Sequence, residues 1–208
     1  IPAVIRGLIA VAWYGIQTYL ASGAFMLLAL HFQPGLAPYA DVAQHGFVGL
    51  STLGWVAFMV MWVLQAFVFW HGMEAIRRFI DWAGPAVYVV MAALCGWLVW
   101  KAGWSNIDMR LGGVKFTGWD ALPVMLSATA LVVSYFSGPM LNFGDFSRYG
   151  KSFDAVKKGN FWGLPVNFLF FSLLAVITSA ATLPVFGELI TDPVHTVAKI
   201  DSTTAVVI

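Results

Sequence analysis

Charge is what this sequence has least of. Of its 208 residues, 11 are Lys or Arg and 10 are Asp or Glu, so 10% are charged against 60% hydrophobic. A soluble domain carries about 25% charged residues, and a chain so far below that cannot cover itself with a water-compatible surface. Water is excluded as its main solvent, and the lipid bilayer is the expected one. The near balance of signs, net +1, leaves no basic field for a phosphate backbone, which excludes nucleic acid as a partner. The hydrophobicity excludes disorder as well. Cysteine is nearly absent: Cys95 lies alone in an apolar run, so an intrachain disulfide and Cys-built metal clusters are out. No Gly-Ser linker, charged tail or low-complexity tract divides the chain, and residues 1–208 read as one transmembrane domain.

What is present is apolar and aromatic, with 17 Phe, 10 Trp and 6 Tyr. The few charges are bunched, leaving 7–40, 42–73, 82–100, 121–144 and 159–187 without any. A spanning helix needs about 20 mostly apolar residues. After trimming of polar ends, the chain predicts five complete crossings near 7–30, 47–70, 83–100, 121–144 and 160–186. Residues 200–208 read as the first turns of a further span, truncated while still apolar, and the sequence reads as a fragment. The fold class expected is all-α, a polytopic membrane protein.

Cytoplasmic loops hold the excess of Lys and Arg. Arg6, Arg77, Arg78, Arg148, Lys151, Lys157 and Lys158 fall on one side, and Lys101, Arg110, Lys115 and Lys199 on the other. This puts the start of the first span and the 71–82 and 145–158 loops in the cytoplasm. The amphipathic stretch from Met73 to Trp82 is expected to lie along the inner interface, apolar side to lipid.

A helix that only crosses lipid wants unbroken backbone hydrogen bonds and apolar side chains, so departures mark function. Ser137, Gly138 and Pro139 stand inside the fourth span, directly after Tyr135 and Phe136. Proline lacks an N–H and clashes with the carbonyl four residues back, so a break is expected in that span. Paired half-helices around such breaks present backbone dipoles to a substrate, although a tolerated kink is the plainer reading. Pro85, Pro123 and Pro165 fall in the opening turns of their spans, where a missing N–H costs little. Trp13 and Gln17 stand i, i+4 on one face near mid-membrane. A carboxamide complements an amide or ureide edge, and an indole one turn away offers a flat face for a ring. Together they suit a small planar, uncharged heterocycle. The alternative is that Gln17 bonds another helix and Trp13 is packing. The trimmed spans contain no Asp, Glu, Lys, Arg or His, which also favours a neutral solute.

Catalytic patterns are sparse. His71 and Glu74 form a His-x-x-Glu pair near the interface, the basis for a rival reading as a membrane-embedded metal-dependent enzyme. A non-transporting membrane binding subunit is the second rival. His31, His45 and His195 read as surface histidines, and Gly35, Gly112 and Gly113 lie outside any phosphate-cradling frame. Asn142 to Arg148 reads as an anchored helix end in which Asp145 and Arg148 pair.

The runs Ala12 to Thr18, His71 to Arg78, Asn142 to Arg148 and Gly159 to Pro165, with Asp192-Pro193 and His195 in the last loop, together resemble the nucleobase-cation-symport family of permeases. The resemblance implies a LeuT-like fold of two inverted five-helix repeats, of which this chain looks like the third to seventh helices and the start of the eighth. It implies that Trp13 stacks on the substrate ring, that Gln17 bonds its polar edge, and that the span with Gly138 and Pro139 is the broken sixth helix. Phe136 aligns there with an aromatic, often Trp, that closes the other side of the substrate, while Tyr135 and Ser137 line the break. Coupling to Na⁺ or H⁺ is implied as well, with the ion held largely outside this chain; no other cofactor is expected. The expected activity is cation-coupled import by alternating access, without enzyme chemistry, of uracil, cytosine, a purine, allantoin or a hydantoin across the cell membrane. A monomer is the expected unit.

Overall fold

The computed structural model describes residues 2–110, 113 and 116–200. Five helices in it are long and apolar enough to cross a membrane: α1 (Pro2–Phe32), α2 (Thr52–Trp70), α3 (Gly72–Ala102), α4 (Ala121–Leu141) and α5 (Phe153–Phe186). Large apolar side chains such as Val11, Leu131 and Val89 are exposed along them, a surface that water does not satisfy. The further span expected over 200–208 falls outside the described residues, Ile200 apart.

The helices pack chiefly as two pairs, α1 on α2 and α3 on the second half of α5. Small residues decide both seams, because lipid gives helices no hydrophobic drive to associate and close backbone approach must supply the contact. Thr18 and Ser22 are buried on α1, and Leu53, Gly54 and Ala57 on α2. Both buried hydroxyls on α1 bond within their own helix: Thr18 Oγ1 donates to the Tyr14 carbonyl at 2.7 Å and Ser22 Oγ to the Tyr19 carbonyl at 2.6 Å. In the other pair Leu98 and Ala102 meet Ala181, ringed by Leu94, Trp97, Val185 and Phe186. Gly187, left-handed at φ 77°, ends α5 as its αL cap. The returning chain is pinned by Thr182, whose Oγ1 accepts from the Ile190 N–H at 2.9 Å, and leads into the short helix Pro193–Ala198, capped by Asp192.

Several local expectations are corrected. The fourth span is not broken at its middle: α4 runs through Ser137, Gly138 and Pro139 to Leu141. Pro139 stands less than a turn from the helix end, so its missing N–H forfeits one ladder bond, and the Asn142 N–H still reaches the Gly138 carbonyl at 3.2 Å. The irregular turn lies instead in α5, where Trp162–Val166 is π-helical around Pro165. Pro85 stands inside α3, because Met73 to Trp82 forms the first turns of that continuous helix rather than a separate interfacial segment. Ion pairs of Arg77 with Glu74 (2.7 Å) and Asp81 (2.8 Å), and of Arg78 with Glu74 (3.2 Å), support those polar turns. The second span, expected from residue 47, starts as a helix only at Thr52, and ahead of it Gly46–Phe47 and Leu50–Ser51 form a two-rung antiparallel pair.

Candidate functional site

Trp13 and Gln17 project from the middle of α1, and α4 meets α1 beside Trp13. The half-buried indole sets its ring at 89° to Tyr135 with centroids 5.7 Å apart, an edge-to-face contact. Its Nε1 lies 3.6 Å from where a Cβ on Gly138 would be. Gly138 is the one buried residue of α4 among those described, and only a small residue fits where the helix meets the indole. Gln17, one turn further along α1, is exposed, and no hydrogen bond engages its carboxamide among the described residues. Its donors and acceptor are available to a solute.

The other expected residues are arranged differently. Tyr135, not Phe136, faces Trp13. Phe136 packs edge-on against Phe168 of α5 at 5.4 Å and 77°, and against Tyr135 at 5.4 Å and 86°. Ser137 Oγ donates to the Ser134 carbonyl at 2.7 Å, a bond within its own helix. Tyr135, Gly138 and Trp13 therefore form one contact, while Phe136 and Ser137 lie beside it.

Two residues that the sequence reading passed over join this region. Gln65 of α2 has its Oε1 3.3 Å from the buried Thr18 hydroxyl, immediately beside Gln17 in sequence. It carried the same signal as Gln17, a carboxamide within a charge-free run. Arg6, at the start of α1, donates through Nε to Asn142 Oδ1 at 3.0 Å and forms an ion pair with Asp145. Asp145 thus pairs with Arg6 and not with Arg148, whose guanidinium lies 5.1 Å from the centre of the Tyr149 ring. Arg148 follows the end of the short helix Phe143–Ser147 that carries Asp145, whereas Arg6 approaches from α1. The end of α4 is therefore fixed to α1 at two levels, through the indole and through the guanidinium.

His71 and Glu74 do not converge on a common centre. His71 Nδ1 is 2.7 Å from the Phe67 carbonyl, and Glu74 is engaged by Arg77 and Arg78. Among the described residues no three His, Cys, Asp or Glu side chains group as metal ligands.

Comparison with known proteins places this arrangement. The chain is 30% identical over 208 residues to the allantoin permease of Bacillus subtilis, covering all of this chain and 42% of that protein. It is 28% identical over 201 residues to a purine-uracil permease of Arabidopsis thaliana, 96% of this chain and 33% of the relative. Against the uridine permease of Saccharomyces cerevisiae it is 24% identical over 147 residues, 66% of this chain and 22% of the relative. The chain thus spans less than half the length of these relatives, and no solved structure matches it significantly. The profile of one family matches residues 1–208 without interruption, and the chain belongs to that family, the permeases for cytosine/purines, uracil, thiamine and allantoin.

Proposed function

We propose that the protein containing this chain is a secondary transporter that imports a neutral planar heterocycle, a nucleobase or a ureide such as allantoin or a hydantoin, across the cell membrane. The observation that carries this reading is the pairing of a half-buried indole, held by Tyr135 and Gly138, with an unengaged carboxamide one turn away. An indole gives a ring a stacking face, and a carboxamide matches the donor and acceptor edge of a base or ureide. The relatives named as permeases for allantoin and for purines and uracil support the same class of solute. In this proposal Trp13 and Gln17 hold the solute, Tyr135 and Gly138 position the indole, and Phe136 and Ser137 border that contact on α4. A gradient of Na⁺ or H⁺ drives uptake by alternating access, and one protomer is the working unit.

Full-length protein in proteoliposomes tests this. Gln17→Leu leaves the solute's polar edge unpaired, and the expected loss of about 1–3 kcal/mol raises the apparent KM about tenfold at normal membrane abundance. Unchanged affinity for uracil, cytosine, purines, allantoin and hydantoins alike removes Gln17 from the site. Counterflow of labelled solute separates a transporter from a receptor that only binds, and imposing a Na⁺ gradient or a pH gradient in turn identifies the coupling ion.

A further inference from the structure

Away from Trp13, a cavity of about 150 Å³ lies between α3, α5 and the short helix Pro193–Ala198. Its walls are largely hydrocarbon, from Met91, Phe171, Ala175, Ile190 and Pro193, and no charged side chain lines it. Thr178 and Thr196 also line it, and they are 3% and 1% exposed. The Thr196 hydroxyl donates to the Asp192 carbonyl at 2.9 Å. The Thr178 Oγ1 is buried and has no hydrogen-bond partner among the described residues. A buried hydroxyl without a partner costs about 1–3 kcal/mol, so such a group beside an empty space points to something that occupies the space.

We propose that this cavity is a second small-molecule site, taking one neutral six-membered ring that carries a single hydrogen-bonding group. Size and wall chemistry select that class together. A cavity of about 150 Å³ lined by aliphatic and aromatic side chains is enough for benzene. An ion has no carboxylate here to meet it. Thr178, Ser179, Thr191 and Thr196 give a water molecule polar partners, but one water takes only about 30 Å³ and leaves the space against the hydrocarbon walls unfilled. A ring with one polar group satisfies the Thr178 hydroxyl and fills the remaining volume against Phe171. The site shares no lining residue with the Trp13, Tyr135 and Gly138 contact, so it stands or falls separately from the proposed transport site.

The test is fluorine NMR of 4-fluorophenol with the full-length protein in lipid nanodiscs, with empty nanodiscs as the reference for partition into lipid. Saturable binding beyond that reference is expected. Thr178→Val, equal in shape but without the hydroxyl, weakens it roughly three- to tenfold. Ala175→Phe, which fills the cavity, abolishes it; if that variant fails to fold, Ala175→Leu reduces it. Gln17→Leu leaves it unchanged, and a bicyclic fluoronaphthol does not compete. Binding no greater than to empty nanodiscs overturns the proposal, as does equal affinity in the folded Thr178→Val protein. Loss of probe binding in Gln17→Leu also overturns it, because the probe would then occupy the Trp13 site. If Thr178→Val lowers thermal stability while no probe binds, the hydroxyl is satisfied by water alone, and that too overturns it.

Discussion

Gly138 shows how a single position sets the candidate site. A Cβ there lies 3.6 Å from Trp13 Nε1, an ordinary contact distance, so Gly138→Ala fits without displacing the indole and adds helix propensity. Gly138→Val does not fit, since branching at Cβ drives methyl groups into the ring. Overpacking costs about 1–3 kcal/mol, so the expected outcome is uptake close to normal for Ala and an apparent KM raised about tenfold for Val. Equal KM values for the two variants would mean that the indole is free of α4 during binding. At this scale the sequence was only partly legible. Trp13 and Gln17 stood out because a carboxamide and an indole at i, i+4 are unusual in apolar runs. Which aromatic faces the indole was not readable: Tyr135 and Phe136 are neighbours, about 100° apart around the helix, and only the rotation of α4 against α1 selects Tyr135.

Among the elements, α4 is the loosely attached one. Its described side chains are mostly exposed, and its links to the bundle include the indole contact, the Phe136–Phe168 contact and the Arg6 bonds to Asn142 and Asp145 just beyond its end. The ion pair is itself half-exposed, with side chains 40% and 53% accessible, so its effect on stability is small after solvent screening. Its effect on position is the larger one, because it fixes the end of α4 on which Gly138 and Tyr135 are carried. Arg6→Asp or Asp145→Arg alone is expected to lower uptake about two- to fivefold with little change in thermal stability, and the double reversal to restore most of it. If the double variant is worse than either single one, the pair does not act through mutual attraction. The five long helices could be read from the sequence because charges are bunched between them and in their end turns, leaving long apolar runs. The break expected at Gly138 and Pro139 could not be judged there, since a proline within the last turn costs one hydrogen bond whereas the same residue at mid-helix distorts the rod.

For the described residues as a whole, the arrangement is two close helix pairs with α4 laid against them, and the surface is largely apolar. The polar residues Arg77, Arg78, Glu74 and Asp81 gather at one end of α3, outside the stretch expected to be in hydrocarbon. The widened turn Trp162–Val166 bears on the orientation of everything beyond it. A turn that closes over five residues instead of four accommodates one surplus position, so the helical phase before Trp162 and after Val166 is kept in step by that surplus alone. Removing one residue, Gly163 for example, is therefore expected to regularise the turn while Phe168 and Thr178 still face the same neighbours. Removing one residue at Leu173 swings the rest of α5 by about 100° and parts Ala181 from Leu98. Membrane abundance of the two deletions measures the difference, with the first near wild type and the second degraded. Within α5, this turn is where the helix can change its length by a single residue without the bundle coming undone.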